Sequence, residues 1–427
     1  MVLPSEMIEE ILVRIPAGYV WDIRRVCKSW DALIVNPQFA TKHLERNTQE
    51  SSSILLIAFC QRLIRKSLSL FRLNHHPHTL ALIDAEASHE LNFFENPNFP
   101  DCFKELVVAG SFNGIVCVSS FCKSISRFLA LWNPAINHWK PIPLLPPGKK
   151  DDEYFSVGLA FDSLTNDYRI IRLVSVVTDD YPQPSSRIEI YSVNQHSWLF
   201  ASSAPIPFFT TQPNCSVIVN GVPYWSRNYL EYVDHANNRF QTNVIATVDP
   251  HTGLYTQISY PQIATNENTT VHPFNFMDSL AVLIYSPGQP KMFHVYTLDR
   301  GVDWIHLHTS APTILQNTNM CILRCFQDAG GKIIVVGWNF DDRKRSFLYD
   351  LQTDCLCHSI GMDAFRPRWD ETYYHVETLV CLDGMEPIKR VDSNNNEHGG
   401  LSVVMLQQSN QPPNFRFILM HLPIFSE

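Results

Sequence analysis

The 427-residue sequence predicts an α+β chain in two unequal parts: a small three-helix module over residues 1–46 and a large all-β domain over 47–427. Two observations carry this. Before Leu44 apolar residues recur every three or four positions, and after it they fall in short alternating runs rich in Val, Ile, Phe and Tyr. Those later runs are separated by Pro, Asn, Asp and Gly, the residues that turn a chain sharply.

The helices come first. Ile8, Ile11, Leu12 and Ile15 step by three and four and share one side of a first helix. Ser5 is its expected cap and Pro16 its expected end, and Glu6, Glu9 and Glu10 favour the positive end of the helix dipole. Val20, Ile23, Val26, Cys27, Trp30, Leu33 and Ile34 continue the spacing and predict a second helix. Asn36 followed by Pro37 is a cap and first-turn proline, opening a third helix that carries Phe39 and Leu44. A module this small has a marginal core, so its apolar faces must be covered either by the rest of the chain or by a partner.

In the long remainder one unit recurs, an apolar strand, a polar turn and a second strand. Its copies are marked by Leu73, Asn133, Ser192, Asp249, Thr297 and Asp350, at intervals of 60, 59, 57, 48 and 53 residues. A lone hairpin buries too little to be stable, whereas stacked blades bury one another's faces. The six copies therefore predict a six-bladed β-propeller-like architecture, with a multi-sheet sandwich as the alternative.

Hydrophobic residues make up 45% of the chain and aromatics 12%, enough for a well-packed interior. The net charge is −9, and residues 1–46 hold equal numbers of acidic and basic side chains, so the acidic excess lies in the β region and a nucleic-acid partner is disfavoured. Eleven cysteines, an odd number at irregular spacing, predict free buried thiols in a reducing compartment, Cys27 among them. The helical pattern opens at residue 3, leaving no room for a signal peptide, and no apolar run approaches the roughly 18 residues of a membrane span. The expected setting is cytosolic or nuclear, without a membrane partner.

Motifs for chemistry are sparse. Cys321 and Cys325, Cys355 and Cys357, and His306 and His308 stand at suggestive spacings, the two histidines on one face of a strand, but no pair has a partner pair at metal-site distance. There is no nucleophile elbow, phosphate loop, dinucleotide fingerprint or zinc-protease helix. No catalytic, metal or cofactor residues are expected, and the chain reads as non-enzymatic.

Leu3-Pro4, Ile8, Ile11-Leu12, Arg14, Ile15-Pro16, Val26 to Trp30, Leu33-Ile34, Pro37, Phe39 and His43-Leu44 resemble the F-box without a gap. This sequence departs from the pattern in having Tyr19 and Asp22 where similar sequences carry a serine cap and an arginine. The stretches Gly110 to Cys117, Trp132 to Ala135, Phe161 to Tyr168, Ile188 to Ser192 with Trp198, and Val219 to Trp225 resemble the F-box-associated domain of plant F-box proteins, which include kelch-like and S-locus-like members. The resemblance implies a substrate-recognition subunit of an SCF-type cullin-RING ubiquitin ligase, held by a Skp-type adaptor. Carried over by position, the adaptor surface would draw on Leu3, Pro4, Ile8, Ile11, Leu12, Ile15, Pro16, Val26, Cys27 and Trp30, some of which would instead form the module's own core. The protein substrate would sit at one end of the propeller axis, with the connections around 145–154, 178–187, 226–242 and 262–275 as candidates. A ligase-independent scaffold and a propeller enzyme are the competing classes, and a pollen-recognition role is a minor one.

Overall fold

The computed structural model describes residues 4–50, 54–61, 66–76, 79–84, 106–120, 128–144, 153–176, 185–206, 214–226, 232–233, 239–240, 244–265, 269–286, 291–301, 303–310, 320–327, 333–339, 346–350, 355–358 and 372–387. Leu3 lies outside them.

The helical part contains α1 (Ser5–Leu12), α2 (Ala17–Ile23), α3 (Lys28–Ile34) and α4 (Pro37–Glu50), with a 3-10 turn at Arg24–Val26. The single second helix expected from periodicity is thus two, broken at Cys27, whose backbone is extended. Both pieces pack on one core through Val20, Trp21 and Ile34, so the apolar spacing carries on across the break. Ser5 is the first residue of α1 and caps nothing; Pro4 precedes it, and Pro16 opens α2 rather than closing α1. Asn36 does cap α4, its Oδ1 accepting the Gln38 N–H at 2.8 Å. The last helix runs to Glu50, beyond residue 46.

The β part comprises six antiparallel sheets of four or five strands and one two-stranded hairpin among the described residues. In strand order, sheet 1 joins 373–375, 54–61, 66–76 and 79–84, and sheet 2 joins 106–112, 115–120, 129–133 and 138–141, with 386–387 on its outer edge. Sheet 3 joins 153–162, 167–176, 185–192 and 197–206; sheet 4 joins 217–219, 222–226, 244–248 and 255–259. Sheet 5 joins 270–276, 279–286, 292–299 and 303–310; sheet 6 joins 320–327, 333–339, 346–350 and 355–358. Every one of the six recurring hairpins read from the sequence is the third and fourth strand of a different sheet.

The first strands lie side by side, and their turns touch in succession. Phe112 meets Phe161 with ring centroids 5.5 Å apart. The Phe161 N–H donates to the Gly221 carbonyl at 2.8 Å, and Asn220 Nδ2 to the Asp278 carbonyl at 2.7 Å. The Met277 N–H reaches Gln327 Oε1 at 2.7 Å, and the Tyr374 hydroxyl donates to the Gln327 carbonyl at 3.0 Å. Ser111 Oγ and His375 Nδ1, 2.9 Å apart, bring the circuit back to sheet 2. The strand that closes it, Tyr373–His375, pairs with Ile54–Gln61 from the other end of the sequence. Closing the ring pairs its inner edge and leaves the outer strands, such as Tyr255–Ser259 and Asp303–Ser310, as the exposed ones.

The quoted motifs are structural. Asn113-Gly114 and Asn220-Gly221 have positive φ at both positions, the conformation of a two-residue hairpin turn. Trp132 and Trp225 are fully buried, and Trp225 Nε1 donates to Ser156 Oγ at 3.0 Å. Asp162 and Asp167 hold the two sides of their turn and ion-pair with the buried Arg169 at 2.9 and 3.3 Å. His306 and His308 do not share a face: a bulge sets His308 opposite Val295 and His306 opposite Tyr296, neighbours whose side chains leave opposite sides of the sheet.

Candidate functional site

α1 to α4 close on Leu12, Val13, Ala17, Val20, Trp21, Ile34, Phe39 and Ala40, and this small core is completed by Ala135, Ile136 and Leu379 from the β part. His43, fully buried, donates from Nε2 to the Ile15 carbonyl at 2.8 Å and so satisfies the chain between α1 and α2. Burial holds its pKa below the ordinary histidine value, which keeps the ring neutral. Lys42 Nζ bonds Glu9 and Glu10 at 2.8 and 2.6 Å, tying α4 to α1 on the exposed side, and that bond from Lys42 lowers the Glu10 pKa.

What this packing leaves uncovered is an apolar ridge. Met7 is 51% exposed, Ile11 50% and Val26 66%, with Pro4, Pro16 and Cys27 also exposed and Ile8, Ile15 and Trp30 half-buried. Of the residues carried over from the resemblance, Leu12 alone among those described is fully buried, at 1%, and belongs to the module's core. Cys27, expected inside a helix, stands at the exposed break, its Sγ 3.1 Å from Ser29 Oγ; that bond lowers its pKa. Met7 was not among the sequence candidates; its place four residues before Ile11 on α1 is the signal that could have found it.

The module rests on one side of the ring. Gly18 of α2 lies against the Ala135 carbonyl, Trp21 meets His138 edge to face at 5.2 Å, and Asn47 Nδ2 donates to the Glu377 carbonyl at 3.1 Å. Ala135 and Ile136 lie in the turn joining the last two strands of sheet 2 before its edge strand, on the same side as the Asn113-Gly114 turn. On this side the connections are tight: 113–114, 134–137, 163–166, 193–196 and 220–221. Because antiparallel strands alternate direction, the second-to-third connections, and those from the fourth strand of one sheet to the first strand of the next, leave from the opposite side. The four candidate connections belong to that set, since 145–154 and 262–275 join sheets while 178–187 and 226–242 join second to third strands. Of them, residues 145–152, 178–184, 227–231, 234–238, 241–243 and 266–268 lie outside the described residues.

A small cavity of about 30 Å³ lies among the first strands, lined in part by Ser111, Asn275, Arg324, Thr372 and Tyr373, with room for about one or two water molecules. Arg324 lies 5.2 Å above the Tyr373 ring. Among the described residues no three His, Cys, Asp or Glu side chains converge as a metal site would require, and no helix is long and apolar enough to cross a membrane.

The model of the F-box associated beta propeller domain matches residues 71–382, from within the third strand of sheet 1 to beyond the strand that closes the ring. An Arabidopsis thaliana relative named as an F-box protein is 27% identical over 60% of this chain and 67% of its own length. The F-box/kelch-repeat protein At3g23880 of the same plant is 26% identical over 52% of this chain and 58% of its own. The matched region thus spans about three fifths of these relatives' length. Among solved structures, the Dos1 propeller aligns with 69% of this chain and 65% of its own at 9% identity and a TM-score of 0.32. By the match over residues 71–382, the chain belongs to the F-box-associated β-propeller family of plant F-box proteins.

Proposed function

We propose that this chain is the non-catalytic substrate-recognition subunit of an SCF-type cullin-RING ubiquitin ligase. Residues 1–46 act as the F-box that docks a Skp-type adaptor, and residues 47–427 form a six-bladed propeller domain that holds a protein substrate. The observation that carries this reading is the apolar ridge of Pro4, Met7, Ile11, Val26 and Cys27, which stays uncovered while the module's other flank is seated on the ring. An exposed apolar strip beside a complete core is what a docking subunit would cover. With the module on the tight-turn side, the longer connections of the other side are free to select a substrate, and holding it near the transfer machinery raises effective concentration without bond chemistry here. The proposed setting is the cytosol or nucleus, where free thiols persist.

The test compares neighbouring residues. Ile11→Asp, on the ridge, is expected to abolish capture of a purified Skp-type adaptor while leaving the melting temperature within a few degrees. Leu12→Ala, in the core, is expected to cost about 2–5 kcal/mol in urea unfolding. Leu3 and Pro4 replaced together by alanine should also weaken capture. Adaptor affinity unchanged in Ile11→Asp and in the Leu3/Pro4 variant would overturn the reading.

A further inference from the structure

The helical module has one covalent tie to the ring, through the residues after Glu50, and a single tie at one corner leaves a body free to pivot. A second attachment comes from the far end of the chain. After the closing strand ends at His375, residues 376–387 cross the tight-turn side of the ring and finish as the edge strand of sheet 2, where Glu386 pairs with Trp139. Along this path the segment grips both bodies.

On the ring side, buried Asn133 donates from Nδ2 to the carbonyls of Thr378 and Val380 at 3.0 and 2.8 Å. Thr378 is fully buried and lies so close to Gly114 that no side chain fits there. Lys140 Nζ donates to the Asp383 carbonyl at 2.6 Å. On the module side, Leu379 enters the helical core beside Ala135 and Ile136, and Asn47 of α4 donates to the Glu377 carbonyl. Asn47 also donates to His43 Nδ1 at 3.3 Å, and His43 to Ile15, so the grip runs from residue 377 through α4 to the chain between α1 and α2. Adjacent residues 377–380 thus face alternately into the ring and into the helices.

We propose that residues 376–387 are a clamp that fixes the helical module and the ring as one rigid body, with Leu379, Asn47 and Asn133 as positioning residues. The clamp sets the span between the apolar ridge and the loop-bearing side. Its consequence for ubiquitin transfer rests on the function proposed above; the clamp itself does not. None of the three residues lies on the ridge, so losing the clamp changes where a bound client is presented and leaves the adaptor's own grip unaltered.

The experiment measures one distance in the full-length chain, between spin labels on non-natural residues placed at the exposed positions Tyr19 of α2 and Leu254 of sheet 4. The unaltered chain is expected to give a single narrow distance. Leu379→Asp is expected to broaden it and to raise amide exchange in α2 and α4, with exchange in strand 167–176 unchanged as the sign of an intact ring, and Leu379→Met is expected to restore the narrow distance. A narrow distance and unaltered helical exchange in Leu379→Asp would overturn the proposal. Should that variant fail to fold, Asn47→Ala decides instead: faster exchange in α4 with a broader distance supports the clamp, and an unchanged distance sinks it. With purified adaptor and cullin added, Leu379→Asp is expected to keep adaptor affinity within about twofold while self-ubiquitination falls severalfold. Equal self-ubiquitination would refute the positioning role. Failure of the unaltered chain to bind adaptor at all would count against the ligase reading, with the distance measurement still deciding the clamp.

Discussion

Ile11 and Leu12 are neighbours, yet one is half exposed and the other fully buried. Periodicity places both on the apolar side of α1, but which flank meets the chain's own core depends on where Ala135, Ile136 and Leu379 arrive, and no local pattern records that. The same long-range burial perturbs individual histidines. Burial lowers the pKa of His375 to about 3, and burial with nearby Arg324 lowers that of His272 to about 3. Between pH 6.5 and 3 the unfolded chain takes up protons that the folded chain refuses, so stability is expected to fall as pH drops through this window, by up to about 1.4 kcal/mol per unit for each histidine. Asp162 acts lower on the scale. Burial raises its pKa, but bonds from Thr165, His251 and the Leu164 N–H, together with Arg169, outweigh this and bring it to about 2. Its contribution is present above its unfolded value near 3.8 and is lost as pH falls toward 2. Urea midpoints measured from pH 8 to pH 4 check the histidine limb: the native chain should weaken below 6.5, and the His272→Gln/His375→Gln variant should follow a flatter course. A native profile flat from pH 7 to 5 would contradict it.

At the scale of elements, the hairpins were the most legible feature, because an Asn-Gly or Asp-rich turn between alternating strands is encoded within about a dozen residues. Asn113-Gly114 and Asn220-Gly221 adopt the expected turn. Met277-Asp278 adopts positive φ at both positions with no glycine to announce it, and its bonds to Gln327 and Asn220 help to hold that conformation. The helix break at Cys27 was illegible for the opposite reason, since both halves bury onto one core and leave the apolar spacing unbroken. Two glycines separate backbone strain from packing. Gly301 has φ +78° with no atom of the described residues within 4 Å of a would-be Cβ, so Gly301→Ala is expected to cost only about 1 kcal/mol of left-handed strain. Gly114 has the same φ, but a Cβ there would collide with Thr378 Cγ2, so Gly114→Ala should cost several times as much. Equal urea midpoints for the two variants would show that the contact with the clamp segment is soft.

For the whole molecule, the ring depends on a strand contributed from residue 373 onward pairing with one that begins at residue 54. A chain ending at residue 371 lacks this strand and everything after it. It is expected to lose the single cooperative unfolding transition and to show faster amide exchange in both sheet 1 and the helices, although the helices lie at the other end of the sequence. Fast exchange confined to sheet 1 would mean that the helical module holds its place without the C-terminal segment. The arrangement also gives the two sides of the ring different characters: strand alternation puts the first-to-second and third-to-fourth turns, with the helical module, on one side and the second-to-third connections on the other.

The sequence by itself determined the helical opening, the six outer hairpins, the Asn36 cap and the turn chemistry, because each depends on residues close together in the chain. It also carried the family, through motifs whose roles prove to be turns, buried tryptophans and the Asp162–Arg169–Asp167 network. Only the tertiary structure decided that the ring closes through Tyr373–His375, that Leu12 is covered while Ile11 is not, and that the C-terminal segment seats the helices. These are contacts between residues hundreds of positions apart, and such contacts are selected by the packing of the whole chain.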